Sequence, residues 1–220
     1  MAQAQRLRLT YAKGEALRYV GHLDFARAWE RVLRRAGVPL AYSEGFNPQP
    51  KLQFASALPL GATGQHELVD VILSEPMAPE TFLELVRPQL PAGLDLEAAA
   101  EVPLKTTALQ ARMLSSTWEI DVETDLSGDD LAHRIAELLA RDSIPRSRQR
   151  KGRPAPYDLR PLILALRYEG RPVAGWHRLS LQVRSAPSAT GRPDEILAAL
   201  GLEEYPARMQ RVACHYGPDT

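Results

Sequence analysis

Twice along this chain, short runs of alternating apolar and polar residues interleave with segments of helical period, and the order is the same both times. Alternation sends successive side chains to opposite faces of a strand, whereas apolar residues at i, i+3 and i+4 mark one side of a helix. The first half reads as a strand at Leu7 to Ala12 with a short hairpin partner at Leu17 to Val20. A helix follows from Phe25 to Ala36, stopped by Gly37 and Pro39. Strands at Lys51 to Ala57 and Leu68 to Leu73, a helix at Pro79 to Arg87 and a strand at Leu94 to Val102 complete it.

The second half repeats the order. Trp118 to Glu123 (WEIDVE) alternates as a strand, and Asp129 to Arg141 places Leu131, Ile135, Leu138 and Leu139 on one helical face. The segment from Arg146 to Ile163 reads as a loop running into a strand that extends over Leu162 to Tyr168. Arg178 to Arg184 is another alternating strand, Pro193 to Leu200 a short helix, and Met209 to His215 the last strand. The order β-α-β-β-α-β is that of the split βαβ, or ferredoxin-like, arrangement. The expected fold is therefore α+β, with two tandem ferredoxin-like halves on antiparallel sheets. They span residues 1–104 and 117–220, joined near Lys105 to Ser116.

Charge is segregated, although the formal net charge is zero. Up to Leu60 the cations outnumber Glu15, Asp24, Glu30 and Glu44; residues 67–142 are acidic, and arginine dominates again from Arg146. A zero net charge argues against a uniformly basic nucleic-acid binder, while an acidic middle between basic ends allows a localised positive surface. On the first helix Arg27, Arg31 and Arg34 are spaced i, i+4, i+7, with Arg35 beside them. Like charges at that spacing cost a few tenths of a kcal/mol per pair, a cost that an opposing anion removes. A solvated face partly neutralised by Asp24 and Glu30 is the alternative.

The loop Tyr42 to Lys51 (YSEGFNPQPK) has Gly45 for positive φ and two prolines that push Asn47 and Gln49 towards extended conformations. Asn47 and Lys51 are candidates for phosphate contact; a rigid, self-satisfied connector is the alternative. The densest cationic run is Arg146-Ser-Arg-Gln-Arg-Lys-Gly-Arg153. Arg146, Arg148 and Arg150 would lie on one side of an extended ribbon, with Lys151 and Arg153 completing the set, and arginine binds phosphate through a planar fork. A solvated loop and the docking of an acidic protein patch are the competing readings.

Catalytic signals are few. The five histidines show no paired ligand spacing, and one cysteine, Cys214, excludes an intrachain disulfide or a multi-cysteine iron–sulfur or zinc site. No cofactor and no metal are expected. No apolar run approaches the ~18 residues of a membrane span and the start is polar, so the expectation is a cytoplasmic protein. His22, followed by Asp24 at a helix start, could act as acid or base, because histidine titrates near neutral pH.

The runs His-Leu-Asp (22–24), Glu-Arg-Val-Leu-Arg-Arg-Ala-Gly (30–37), Ser-Glu-Gly-Phe-Asn-Pro-Gln-Pro-Lys (43–51) and Phe-Ala-Ser-Ala-Leu-Pro-Leu-Gly (54–61) resemble the bacterial radical SAM-linked protein family. The resemblance is dense over Leu7 to Leu73 and returns at Tyr157 to Ile163. It departs from the family pattern at Gly21, usually serine, and at Gln49, usually basic or histidine. Members are encoded beside, or fused to, a radical S-adenosylmethionine protein with a cobalamin-binding-like domain. The resemblance thus implies a radical SAM protein as partner, and no established activity. This chain lacks the cysteines for such a cluster, so the chemistry would lie in the partner.

Three functions follow as expectations. The first is a non-catalytic accessory that binds structured RNA for a radical SAM modification enzyme. The second is a protein-docking subunit of that system. The third is a metal-independent endoribonuclease resembling the CRISPR repeat-processing enzymes, which also pair ferredoxin-like domains with a Gly-rich basic region. His22, Tyr42 and Lys51 would be its acid–base groups.

Overall fold

The structure is a computed structural model that describes residues 4–150, 153–186 and 189–218. The fold is α+β on antiparallel sheet, and the chain divides into two compact units, residues 1–113 with 216–220 and residues 114–215.

In the first unit β1 (Gln5–Lys13), α1 (His22–Arg35), β2 (Leu52–Phe54), β3 (Ala62–Leu73), α2 (Pro79–Val86) and β4 (Leu94–Val102) follow one another, with a single helical turn, α3 (Leu109–Arg112), after them. β3 pairs with both β2 and β1, and β1 pairs with β4, all antiparallel. Alternation decides what is inside. Leu7, Leu9 and Tyr11 of β1 join Val69, Val71 and Leu73 of β3 in one core with Phe25, Trp29, Val32 and Leu33 of α1 and Phe82 and Val86 of α2. The intervening residues face the other way: Arg6 and Arg8 of β1 both grip the fully buried Asp70 of β3.

α1 ends as its sequence demands. Gly37 takes φ 70°, its N–H donates to Arg34 and the N–H of Val38 to Leu33, the paired bonds of a glycine-terminated helix. One expectation fails here. Leu17 to Val20 is not a strand but follows directly from a 3-10 turn at Glu15–Leu17, because its backbone is satisfied locally. Leu17, Arg18 and Val20 donate to Gly14, Glu15 and Leu17, and the Val20 carbonyl accepts from Lys13 Nζ at 2.9 Å.

In the second unit β5 (Met113–Glu123) is followed by α4 (Gly128–Ala140), a hairpin of β6 (Pro145–Arg150) and β7 (Arg153–Asp158), then β8 (Ile163–Val173) and β9 (Trp176–Ala186). β10 (Ala189–Thr190), α5 (Pro193–Ala199) and β11 (Ala207–Tyr216) complete it. β9 pairs antiparallel with β5, β8 and β10, and β5 lies next to β11. Trp118, Ile120 and Val122 on β5 alternate into the interior, as do Leu179, Leu181 and Val183 on β9. α4 starts with a reciprocal cap: Asp130 N–H donates to Ser127 Oγ at 3.1 Å and Ser127 N–H to the Asp130 carboxylate. The Ser127 hydroxyl, which donates to the same carboxylate at 2.6 Å, and then the Ser127 N–H hold the Asp130 carboxyl below its ordinary value.

The loop expected after Arg146 is a two-stranded hairpin, paired from Pro145↔Asp158 to Arg150↔Arg153. Its polar residues have no core to face and so give no apolar alternation. Its base is fastened by Asp158, whose Oδ1 accepts the N–H groups of Ile144 at 2.8 Å and Arg160 at 3.0 Å. These two bonds, in that order, keep the Asp158 carboxyl below its usual value. A 3-10 turn, Arg160–Leu162, then leads into β8.

Candidate nucleic-acid interface

The hairpin concentrates positive charge. The sequence of residues 145–158 has five cations, Arg146, Arg148, Arg150, Lys151 and Arg153, against one acid, Asp158, whose carboxylate is engaged at the base. Arg146 and Arg148 both act on Tyr157, and the Arg148 guanidinium lies over its ring, 4.4 Å from the centroid. They share a side of the ribbon, as period two requires. Burial pushes the Tyr157 phenol up, with the Glu195 carboxylate of α5 adding to it, so Tyr157 is a neutral platform. Arg153 is exposed and lies opposite Arg150 in the strand register; Lys151 lies outside the described residues.

The cations of α1 are more engaged. Arg27 pairs with Asp24 at 3.0 Å and Arg34 with Glu30 at 2.8 Å, so the helix neutralises much of its own basic face. Such exposed pairs are worth about 0–1 kcal/mol and yield readily to a better anion. Arg35 donates to the Gln89 carbonyl at 2.7 Å. Arg31 is exposed and has no partner among the described residues.

The loop after α1 is pinned at its neck. Ser43 N–H donates to the Gln49 carbonyl at 2.8 Å, Gln49 N–H to Ser43 Oγ at 3.0 Å, and Tyr42 bridges to Pro50. Gly45, at φ 122°, turns the tip, where Asn47 is exposed and Phe46 stands fully in solvent. Sequence reasoning passed over Phe46, although an aromatic residue amid turn-formers is a visible signal. Lys51 is half-buried, and its backbone N–H and carbonyl are bonded to Ala41 and Ile72.

An open groove of about 330 Å³ separates the first turns of α1 from the strand after the loop. His22, Leu23, Ala26, Arg27 and Glu30 form one wall, and Gln49, Pro50, Leu52 and Phe54 the other. The His22 ring meets Phe54 edge-on at 5.3 Å. Partial burial, then the nearby Lys13 ammonium, lowers the His22 pKa, so its imidazole is neutral at physiological pH. Lys13 is itself buried over the Phe25 ring, and desolvation lowers its pKa against the raising influence of the buried Glu67. Tyr42 and Lys51 do not line this groove. The Tyr42 hydroxyl instead accepts from Arg34 Nε at 3.2 Å, and Arg34 in turn holds Glu30.

The other histidines are tied elsewhere. His66 meets Glu97 at 2.6 Å, His133 meets Glu137 at 3.3 Å, and His215 meets Thr117 at 2.9 Å. His177 is fully buried, with Arg171 Nε donating to its Nε2 at 3.1 Å. Nδ1 therefore carries the proton and donates to Tyr168 at 3.0 Å. Among the described residues no cluster of His, Cys, Asp or Glu is arranged to hold a metal ion, and no helix is long and apolar enough to cross a membrane.

The chain belongs to the family described as "Uncharacterized protein conserved in bacteria (DUF2344)", whose model matches residues 6–192. No curated protein matches it. Among solved structures it is similar to a chain of a Cbf5–Nop10–Gar1 complex, with 11% identity and a TM-score of 0.50, covering 96% of this chain and 49% of that one. It is also similar to a chain of an H/ACA ribonucleoprotein bound to a substrate RNA containing 2'-deoxyuridine, with 11% identity and a TM-score of 0.48, covering 98% of this chain and 48% of that one. The chain spans about half the length of these structural neighbours. At these identities the likeness concerns the fold.

Proposed function

We propose that this protein is a non-catalytic RNA-binding accessory, and that the β6–β7 hairpin is its main phosphate-contacting element. The observation that carries this reading is the disposition of Arg146 and Arg148 on one side of the β6–β7 ribbon, in a stretch of sequence, residues 145–158, that has five cations and one acid, the acid being engaged at the base. The Arg148 guanidinium, held over the Tyr157 ring, carries a planar fork of N–H donors that matches phosphate oxygens. Arg31, with no partner to give up, is the most available cation of α1, and Arg27, Arg34, Arg35, Asn47 and Lys51 are secondary contacts.

We read the two units as tandem ferredoxin-like domains, residues 1–104 and 117–220, with the hairpin inserted into the second. A radical SAM protein as partner follows from the resemblance of residues 7–73, and would supply the chemistry in the cytoplasm. The ribonuclease reading finds less support: Tyr42 is committed to Arg34, and neither it nor Lys51 lines the groove that holds His22.

The test is fluorescence anisotropy with a labelled structured RNA, comparing wild type with the triple variant Arg146→Glu, Arg148→Glu, Arg150→Glu. Binding that collapses in the variant while its circular dichroism is unchanged supports the reading. Equal affinity refutes it.

A further inference from the structure

The groove between α1 and the strand after the loop combines features that a phosphate site would not. Glu30 is one of its lining residues, and a carboxylate repels an anion. A bare cation is disfavoured in turn, because Arg27 stands one helical turn away on the same wall. What suits both groups is a neutral, flat molecule with a donor edge and an acceptor edge. The volume, about 330 Å³, is at the small end of ligand pockets. Leu23, Ala26, Leu52 and Phe54 provide apolar surface, Gln49 an amide able to donate or accept, and His22 an uncharged ring.

We infer that the groove receives one unpaired guanine of a bound RNA, read by Glu30 and Arg27 together. Guanine is the base whose edges fit best. Its N1–H and exocyclic amine are adjacent donors for a carboxylate, and its O6 and N7 are adjacent acceptors for a guanidinium. Glu30 is already oriented for this role. Arg34 holds its Oε1 at 2.8 Å and is itself held by Tyr42, while a carboxylate has roughly four acceptor positions and so keeps others free. Tyr42 and Arg34 are thus positioning residues for Glu30. Arg27 must release Asp24, an exposed pair worth little. Single-stranded bases splayed into such pockets are the usual means of sequence-specific RNA recognition.

This inference rests on the RNA reading for its biological ligand but is tested separately from it. Guanosine and inosine monophosphates differ only in the exocyclic amine, so their comparison isolates that contact from any phosphate effect. Titration of each into the full chain, followed by NMR shifts, should show guanosine monophosphate binding on the order of tenfold more tightly. Glu30→Gln should erase that difference. Ala26→Leu, which fills the groove without removing a polar group, should erase it too. The same preference should hold for an RNA carrying guanosine against its inosine-substituted copy. Equal affinity for the two nucleotides, or a preference that survives both variants, overturns the inference even if RNA binds through the hairpin. Conversely, RNA affinity that is unchanged in the Arg146, Arg148 and Arg150 variant, with the nucleotide preference intact, would sink the hairpin reading and leave the groove standing. Preference of the groove for a lysine- or arginine-containing peptide over guanosine monophosphate would assign it to a protein partner and also overturn the inference.

Discussion

Salt dependence measures how many hairpin cations meet phosphates. Each phosphate neutralised on a single strand contributes about −0.7 to the slope of log affinity against log salt. If all five hairpin cations engage, the slope is about −3.5, and raising salt from about 50 to 200 mM weakens binding by roughly two orders of magnitude. Changing Arg146, Arg148 and Arg150 to glutamine leaves Lys151 and Arg153. The hairpin's share of the slope should then fall to about −1.4, a flattening of about 2.1 whatever the cations of α1 add. Anisotropy titrations of a labelled single-stranded RNA at several potassium chloride concentrations give both slopes directly. Tyr157→Ala provides an internal control, because it removes the platform under Arg148 without removing a charge. It should lower affinity by a few fold through lost ordering and leave the slope unchanged. A triple variant whose slope stays near that of wild type would show that the hairpin is not the phosphate-contacting element, whatever its affinity.

Three further outcomes test the packing beneath these surfaces. Asp70→Asn leaves Arg6, 4% exposed, without its carboxylate, so urea denaturation should show a loss of about 3 kcal/mol, at the low end for a broken buried pair because Arg8 is 17% exposed and can reach solvent; a loss under about 1 kcal/mol would contradict it. Gly64→Ala places a Cβ 2.5 Å from the Glu67 carboxylate and 2.8 Å from Leu58, and should cost roughly 1–3 kcal/mol in the same assay. His177 has its pKa lowered by burial and then by Arg171, so the folded state favours the neutral ring. Its contribution is present above the ordinary histidine value of about 6.5 and is lost as pH falls through the lower folded value. His177→Gln, although less stable throughout, should therefore lose less stability on acidification than wild type; equal losses would refute the assignment.

What the sequence makes legible, and what it hides, follows from where each side chain finds its partners. β1, β5 and β9 are half-buried strands, and their alternation declares them because Leu7, Trp118 and Leu179 each face a core while their neighbours do not. The same alternation misleads at Leu17 to Val20, where local turn bonds and Lys13 Nζ take the backbone groups a strand would have shared. The β6–β7 hairpin shows the converse. Its period-two pattern is written in arginines and prolines, which carry no apolar contrast, so charge was visible and structure was not. Function follows the same division. Cations can be counted from a sequence, but whether one is available depends on pairing: Arg31 is free of the contacts that engage Arg27, Arg34 and Arg35. The groove is less legible still, because it sets Glu30 opposite Gln49 across a loop whose closure depends on two bonds between Ser43 and Gln49. Tyr42 illustrates the consequence. As a loop tyrosine near a lysine it suggests acid–base chemistry, whereas its hydroxyl, spent on Arg34, makes it a support for a carboxylate that reads rather than reacts.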